Sequence, residues 1–134
     1  MARERTLPTV IGPTENALRA LLLQALATTP IRSYSEWVIL NAASSTDADW
    51  RMSVADALKV DDTEIDAVLE RLRLLGLLDD DGLTPAGRAQ LTDARTRVAA
   101  TTSLLIEGID ADQQEQVRTV LDLLRSRAEE MLAR

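Results

Sequence analysis

MSVADALKVDDTEIDAVLERLRLLGLLDDDGLTPAGRAQL, residues 52–91, is the stretch that decides the fold. Ser53 reads as the cap of a short helix through Leu58, with Val54, Ala55 and Leu58 on one face. Val60-Asp61-Asp62 reads as a turn. Asp62 or Thr63 then caps a longer helix in which Ile65, Val68, Leu69 and Leu72 recur at a 3–4 spacing. Gly76 follows as a residue able to take the left-handed conformation at a helix end. Leu77-Leu78 and Leu83 predict two short strands around Asp79-Asp80-Asp81-Gly82, whose Asp-Gly pair suits a tight hairpin. Thr84-Pro85 is a helix start, with Thr as N-cap and Pro at the first helical position. Small and apolar residues stand where the two helices must cross, and a hairpin follows at once. That combination predicts a helix-turn-helix with a wing rather than a plain αα-hairpin.

Outward on the N-terminal side, Ser35–Ala43 predicts a helix with Trp37, Ile39 and Leu40 inward, followed by a polar loop over residues 44–49. Leu18, Leu21, Leu22, Ala25 and Leu26 give an earlier helix one apolar face, capped by Thr14 and stopped before Pro30. Residues 1–13 carry Pro8, Gly12 and Pro13 without a helical period and read as an arm. On the C-terminal side a long helix runs from Pro85 to about Glu107, with Leu91, Ala94, Val98 and Leu105 inside. Gly108 ends it. Asp110 and Gln113 form a capping box for a last helix. There Val117, Leu121, Leu124, Ala128 and Met131 make a seam of coiled-coil type, which must be covered by another helix.

The 134 residues contain 46% apolar and 28% charged side chains, the balance of a folded chain. The absence of His and Cys excludes disulfides, Cys or His metal sites, a thiol nucleophile and a histidine base. No spacing singles out paired carboxylates or an activated hydroxyl, so no enzyme, cofactor or metal is expected. The tripeptide Asp79–Asp81 lacks the further ligands a hard cation needs. The start, Met-Ala-Arg-Glu-Arg-Thr, has no apolar segment of a signal peptide, and no run approaches the roughly 18 apolar residues of a membrane span. A cytoplasmic chain without membrane contact is therefore expected.

Four stretches resemble the MarR family of winged-helix transcriptional regulators. They are YSEWVILNAA at 34–43, MSVADALKVDDTEIDAVLERLRLLGLLD at 52–79, LTPAGRAQL at 83–91, and the pair of long C-terminal helices. LTPAGRAQL, matching a strand-to-helix LT-x-x-G-R segment, is the most specific of them. The resemblance implies a mainly α fold, a winged helix-turn-helix over about 35–84 with N- and C-terminal dimerisation helices at about 14–28 and 85–133. It thus gives an N-terminal arm, 1–13, and a single MarR-like domain, 14–134. It further implies a homodimer, a recognition helix at about 62–75, a wing at about 77–84, DNA as partner, and a small aromatic effector between the lobes and the dimer helices.

Two features depart from that pattern, a wing shortened to Leu78 and Leu83 bridged by Asp79-Asp80-Asp81-Gly82 alone, and charge. Residues 51–83 hold four basic residues and nine acidic ones, a net of −5 within a chain of net −7. The start of the recognition helix reads Asp61, Asp62, Thr63, Glu64, Asp66, where DNA readers place cations and amides. The candidates for DNA contact are Arg51, Lys59, Thr63, Arg71 and Arg73. Tyr34, Trp37 and Trp50, the three aromatic residues, are the candidates for a ligand site. Leu18, Leu22, Val117, Leu121, Leu124 and Met131 are the candidates for a dimer interface. Two functions stay open on these residues. One is a dimeric, effector-responsive DNA-binding regulator; the other is a winged-helix dimer whose acidic lobes meet a basic protein partner.

Overall fold

The computed structural model describes residues 5–134 and contains six helices and one two-stranded antiparallel sheet among them. The order is α1 (Leu7–Ala25), α2 (Tyr34–Ala43), α3 (Trp50–Leu58), α4 (Asp62–Leu74), β1 (Leu78–Asp79), β2 (Gly82–Leu83), α5 (Pro85–Leu105) and α6 (Ala111–Leu132). This is the mainly α, winged helix-turn-helix class that the sequence predicts. The chain divides into two compact units, residues 1–101 and 102–134. The division falls inside α5.

Residues 7–13, expected as an irregular arm, are the first turns of α1. The two prolines misled because each is a helix breaker in general. Pro8, however, lies in the first turn, where a missing N–H costs no helical bond. Pro13 is tolerated further in. Thr14 is consequently not a cap; its hydroxyl donates to the Val10 carbonyl at 2.7 Å, inside the helix. The expected arm's first four residues, and with them most of the stretch read for a signal peptide, lie outside the described residues.

The first unit is built around α2, which packs against α1, α3, α4 and β2. Its buried apolar residues run from Leu26 to Ala94 and include Ile39, Leu40, Val54, Ile65, Leu72, Leu77 and Leu91. The helix-turn-helix follows the sequence with two shifts, of four residues at the start of α3 and of one or two at the start of α4. α3 starts at Trp50 behind Asp49, so Ser53 is an interior residue. α4 is capped by Asp61 itself, whose carboxylate accepts the Glu64 N–H at 3.0 Å. The turn between them is made by Lys59 in the left-handed region (φ 56°).

The hairpin pairs Leu78 with Leu83 and Asp79 with Gly82, which leaves Asp80 and Asp81 as its tip. Thr84 closes it onto α5. Its hydroxyl accepts the Gly87 N–H at 2.9 Å and donates to the Gly76 carbonyl at 2.6 Å. Gly87 explains the glycine of LTPAGRAQL: a Cβ there would stand 2.1 Å from the Leu77 carbonyl oxygen. Helix α5 can therefore cross the entry to β1 only through a residue without a side chain. Arg95, one face further along α5, donates to the Asn41 side chain at 2.9 Å and to the Ser44 hydroxyl at 2.8 Å, tying α5 to the end of α2.

In the second unit Gly108 (φ 81°) separates the end of α5 from α6. The Asp110 N–H donates to the Gln113 side chain at 3.3 Å, one arm of the expected capping box. Helix α6 has no buried residue.

Candidate nucleic-acid interface

Helix α4 divides its residues between two faces. Ile65, Leu69 and Leu72 are buried against the core, while Asp62, Thr63, Glu64, Asp66, Glu70 and Arg73 are exposed. Acidic residues occupy its first turn and Arg71 and Arg73 its last. That order favours the helix dipole at both ends, whatever the outer face meets.

The five residues expected at DNA meet different fates. Arg51 is exposed, lies over the Trp50 ring at 5.3 Å, and has no carboxylate partner among the described residues. Lys59 pairs with Asp56 at 3.3 Å. Thr63 is exposed one residue inside α4 and is not its cap. Arg73 reaches the wing tip and pairs with Asp80 at 3.0 Å. Arg71 turns inward. Its guanidinium pairs with Glu36, a carboxylate on α2 only 4% exposed, and its other NH2 group lies 3.5 Å from the Pro30 carbonyl. Arg71, its side chain 41% exposed, is thus engaged by a carboxylate of α2 as well as facing solvent. A buried carboxylate needs a charge-assisted partner, and Arg71 is the cation within reach.

Sequence reasoning missed Glu36, although a signal was present. Ser33-Tyr34-Ser35-Glu36 has the spacing of a capping box. The Ser33 hydroxyl does accept the Glu36 N–H at 3.1 Å. The Glu36 side chain takes the Arg32 N–H at 2.9 Å instead of the cap residue's own.

Between the α2–α3 loop and the wing tip lies an open groove of about 430 Å³, bordered by Ser45, Asp47, Trp50, Arg51, Asp80 and Asp81. Each expected aromatic ligand residue has its own setting. Trp50 borders this groove, Trp37 packs on the core, and Tyr34 carries the Arg19 guanidinium over its ring at 4.4 Å.

The expected interface residues differ too. Val117, Leu121 and Met131 are exposed (56%, 43% and 68%), and Leu124 is half-buried. Leu18 is exposed on α1, whereas Leu22 packs against the core of the first unit.

No family profile and no curated protein sequence matches the chain. Solved structures do. A MarR family protein of Mycobacterium tuberculosis, in complex with DNA, superposes with a TM-score of 0.73 at 23% identity over 90% of this chain and 98% of that one. A MarR family transcriptional regulator from Rhodococcus sp. RHA1 gives 0.73 at 23% identity over 92% and 98%. CouR from Rhodococcus jostii RHA1, bound to p-coumaroyl-CoA, gives 0.74 at 23% identity over 88% and 90%. Nearly the whole chain thus has the fold of the MarR-family winged helix-turn-helix transcriptional regulators.

Proposed function

We propose that this chain is a cytoplasmic transcriptional regulator of MarR type, which acts as a homodimer on duplex DNA and responds to a small effector. The observation that carries the reading is the helix-turn-helix of α3 and α4 with the β1–β2 wing directly behind it, in the fold of a regulator solved on DNA. Recognition would use the outer face of α4, with Thr63 toward base edges and Arg51, Lys59 and Arg73 toward phosphates. Lys59 and Arg73 would exchange carboxylate partners for phosphate, which lowers the net gain per contact. Dimerisation is supported by the apolar residues that α6 leaves exposed. An aromatic effector is supported by neighbours solved with salicylic acid and with p-coumaroyl-CoA. No helix among the described residues is long and apolar enough to cross a membrane. The reading requires no catalytic residue.

A second reading is favoured by one observation, the −5 net charge of residues 51–83. Carboxylates close to phosphate repel it, and the same surface attracts a basic protein. A shift assay with the DNA upstream of the protein's own reading frame, across a salt series, separates the two. Binding that weakens as salt rises supports the first reading. No binding at low salt contradicts it and favours the second.

A further inference from the structure

We propose that Glu36 and Arg71 are the positioning pair that sets the orientation of α4, and that Arg71 reads no nucleic acid. The inference rests on the reading of α4 as the recognition helix. Its physical basis is the difference between the two kinds of contact that hold this helix. Ile65, Leu69 and Leu72 bury one face of α4. Apolar burial fixes which face turns inward, but it is non-directional and resists rotation and sliding weakly. The Glu36–Arg71 contact is directional, because a planar guanidinium meets a carboxylate in a fixed geometry.

Glu36 is held from two sides that are distant in sequence. The Arg32 N–H donates to its Oε1 at 2.9 Å from the α1–α2 connection, and Arg71 donates to the same oxygen from α4. Arg71 also lies at the Pro30 carbonyl, 3.5 Å away, on that connection. The connection is itself fixed: Thr29, buried, donates its hydroxyl to the Leu26 carbonyl at 2.7 Å and accepts the Ile31 N–H at 3.2 Å. One carboxylate therefore clamps a rigid turn to the last turn of α4. Thr63 and Arg73, the α4 residues offered to DNA, are exposed.

The sign of one substitution separates positioning from charge. Glu36→Gln removes a negative charge from the lobe, so Coulomb attraction alone would tighten DNA binding. A positioning role predicts the reverse. Glu36→Gln and Arg71→Met are to be compared with wild type by DNA titration over a salt series and by amide NMR shifts without DNA. Expected for both variants is a loss of affinity of about tenfold, the size of one good contact to a base. The slope of log affinity against log salt should stay unchanged, because no phosphate contact is lost. Amides over 29–33 and 65–75 should shift together, while those of α6 stay in place. The double variant Glu36→Gln with Arg71→Met, which leaves no buried charge unpaired, carries the test should a single variant fail to fold.

Tighter DNA binding by Glu36→Gln would overturn the inference. So would a slope reduced by about 0.9 for each lost contact in Arg71→Met, which marks a phosphate ligand. Shifts confined to residues beside the substitution would overturn it as well. A wild-type protein that binds no DNA would contradict the recognition reading alone; the amide shifts would still decide whether the pair orients α4.

Discussion

The two units of the chain place their apolar side chains in opposite ways. In the first, leucines and isoleucines from Leu26 to Leu91 converge behind α2 and are closed off from water. In the second, α6 carries a comparable set, Val117, Val120, Leu121, Leu123, Met131 and Leu132, and leaves all of them exposed. Both follow from a helical period, yet only the first unit closes its set off within itself. A periodic apolar face states that a partner surface is needed; it does not state whether that surface belongs to the same molecule. For α6 the 4–3–4–3 spacing of Val117, Leu121, Leu124, Ala128 and Met131 suits a helix of a second copy.

This contrast is broken most severely from the first unit. Leu40→Ala or Leu72→Ala, each at a fully buried position, should cost about 2–5 kcal/mol of unfolding free energy in a denaturant titration. Gly87→Ala should cost about 1–3 kcal/mol, because the new methyl meets the Leu77 carbonyl and helix α5 must move. Thr84→Ala removes the cap of α5 and the bond to the Gly76 carbonyl, at about 1 kcal/mol. Leu121→Glu with Leu124→Glu, both on α6 and outside the buried core of the first unit, should leave the stability of the lobe within about 0.5 kcal/mol. The same pair should shift light scattering from a dimer toward a monomer near 14.7 kDa. A dimer that survives both glutamates would place the interface elsewhere.

How much of this was legible in the sequence depended on the range of the interaction. Local chemistry was readable: the Thr84-Pro85 start of α5, the left-handed Gly76, the Asp-Gly hairpin and the periodic buried face of α4 all appear where the residues predict them. Position-dependent chemistry was half readable. Pro8 and Pro13 signal a break, but a proline in the first turn breaks nothing, and α1 begins at Leu7. Asp61 rather than Asp62 or Thr63 caps α4, since three adjacent polar residues are chemically equivalent until the turn geometry is known.

Pairings between distant residues were not legible. Arg71 and Arg73 look alike in sequence, two residues apart near the end of one helix. In the fold Arg71 turns to buried Glu36 and Arg73 to the wing's Asp80. Two of the cations counted toward DNA are thereby engaged by carboxylates from outside their own helix. The candidate interface is thus sharper than the sequence made it: Arg51 is the cation of residues 51–83 that keeps no carboxylate partner among the described residues.

The central claim, that this acidic winged helix still acts on DNA, is tested most directly by one titration. Purified protein and upstream DNA are to be mixed at rising salt, with folding checked in the same buffer. Expected is specific binding at low salt that weakens as salt rises, with a log–log slope no steeper than about −5, since about three cations per lobe can reach phosphate. A folded protein that fails to bind at any salt would contradict the claim and leave the acidic face of α4 to a basic protein partner.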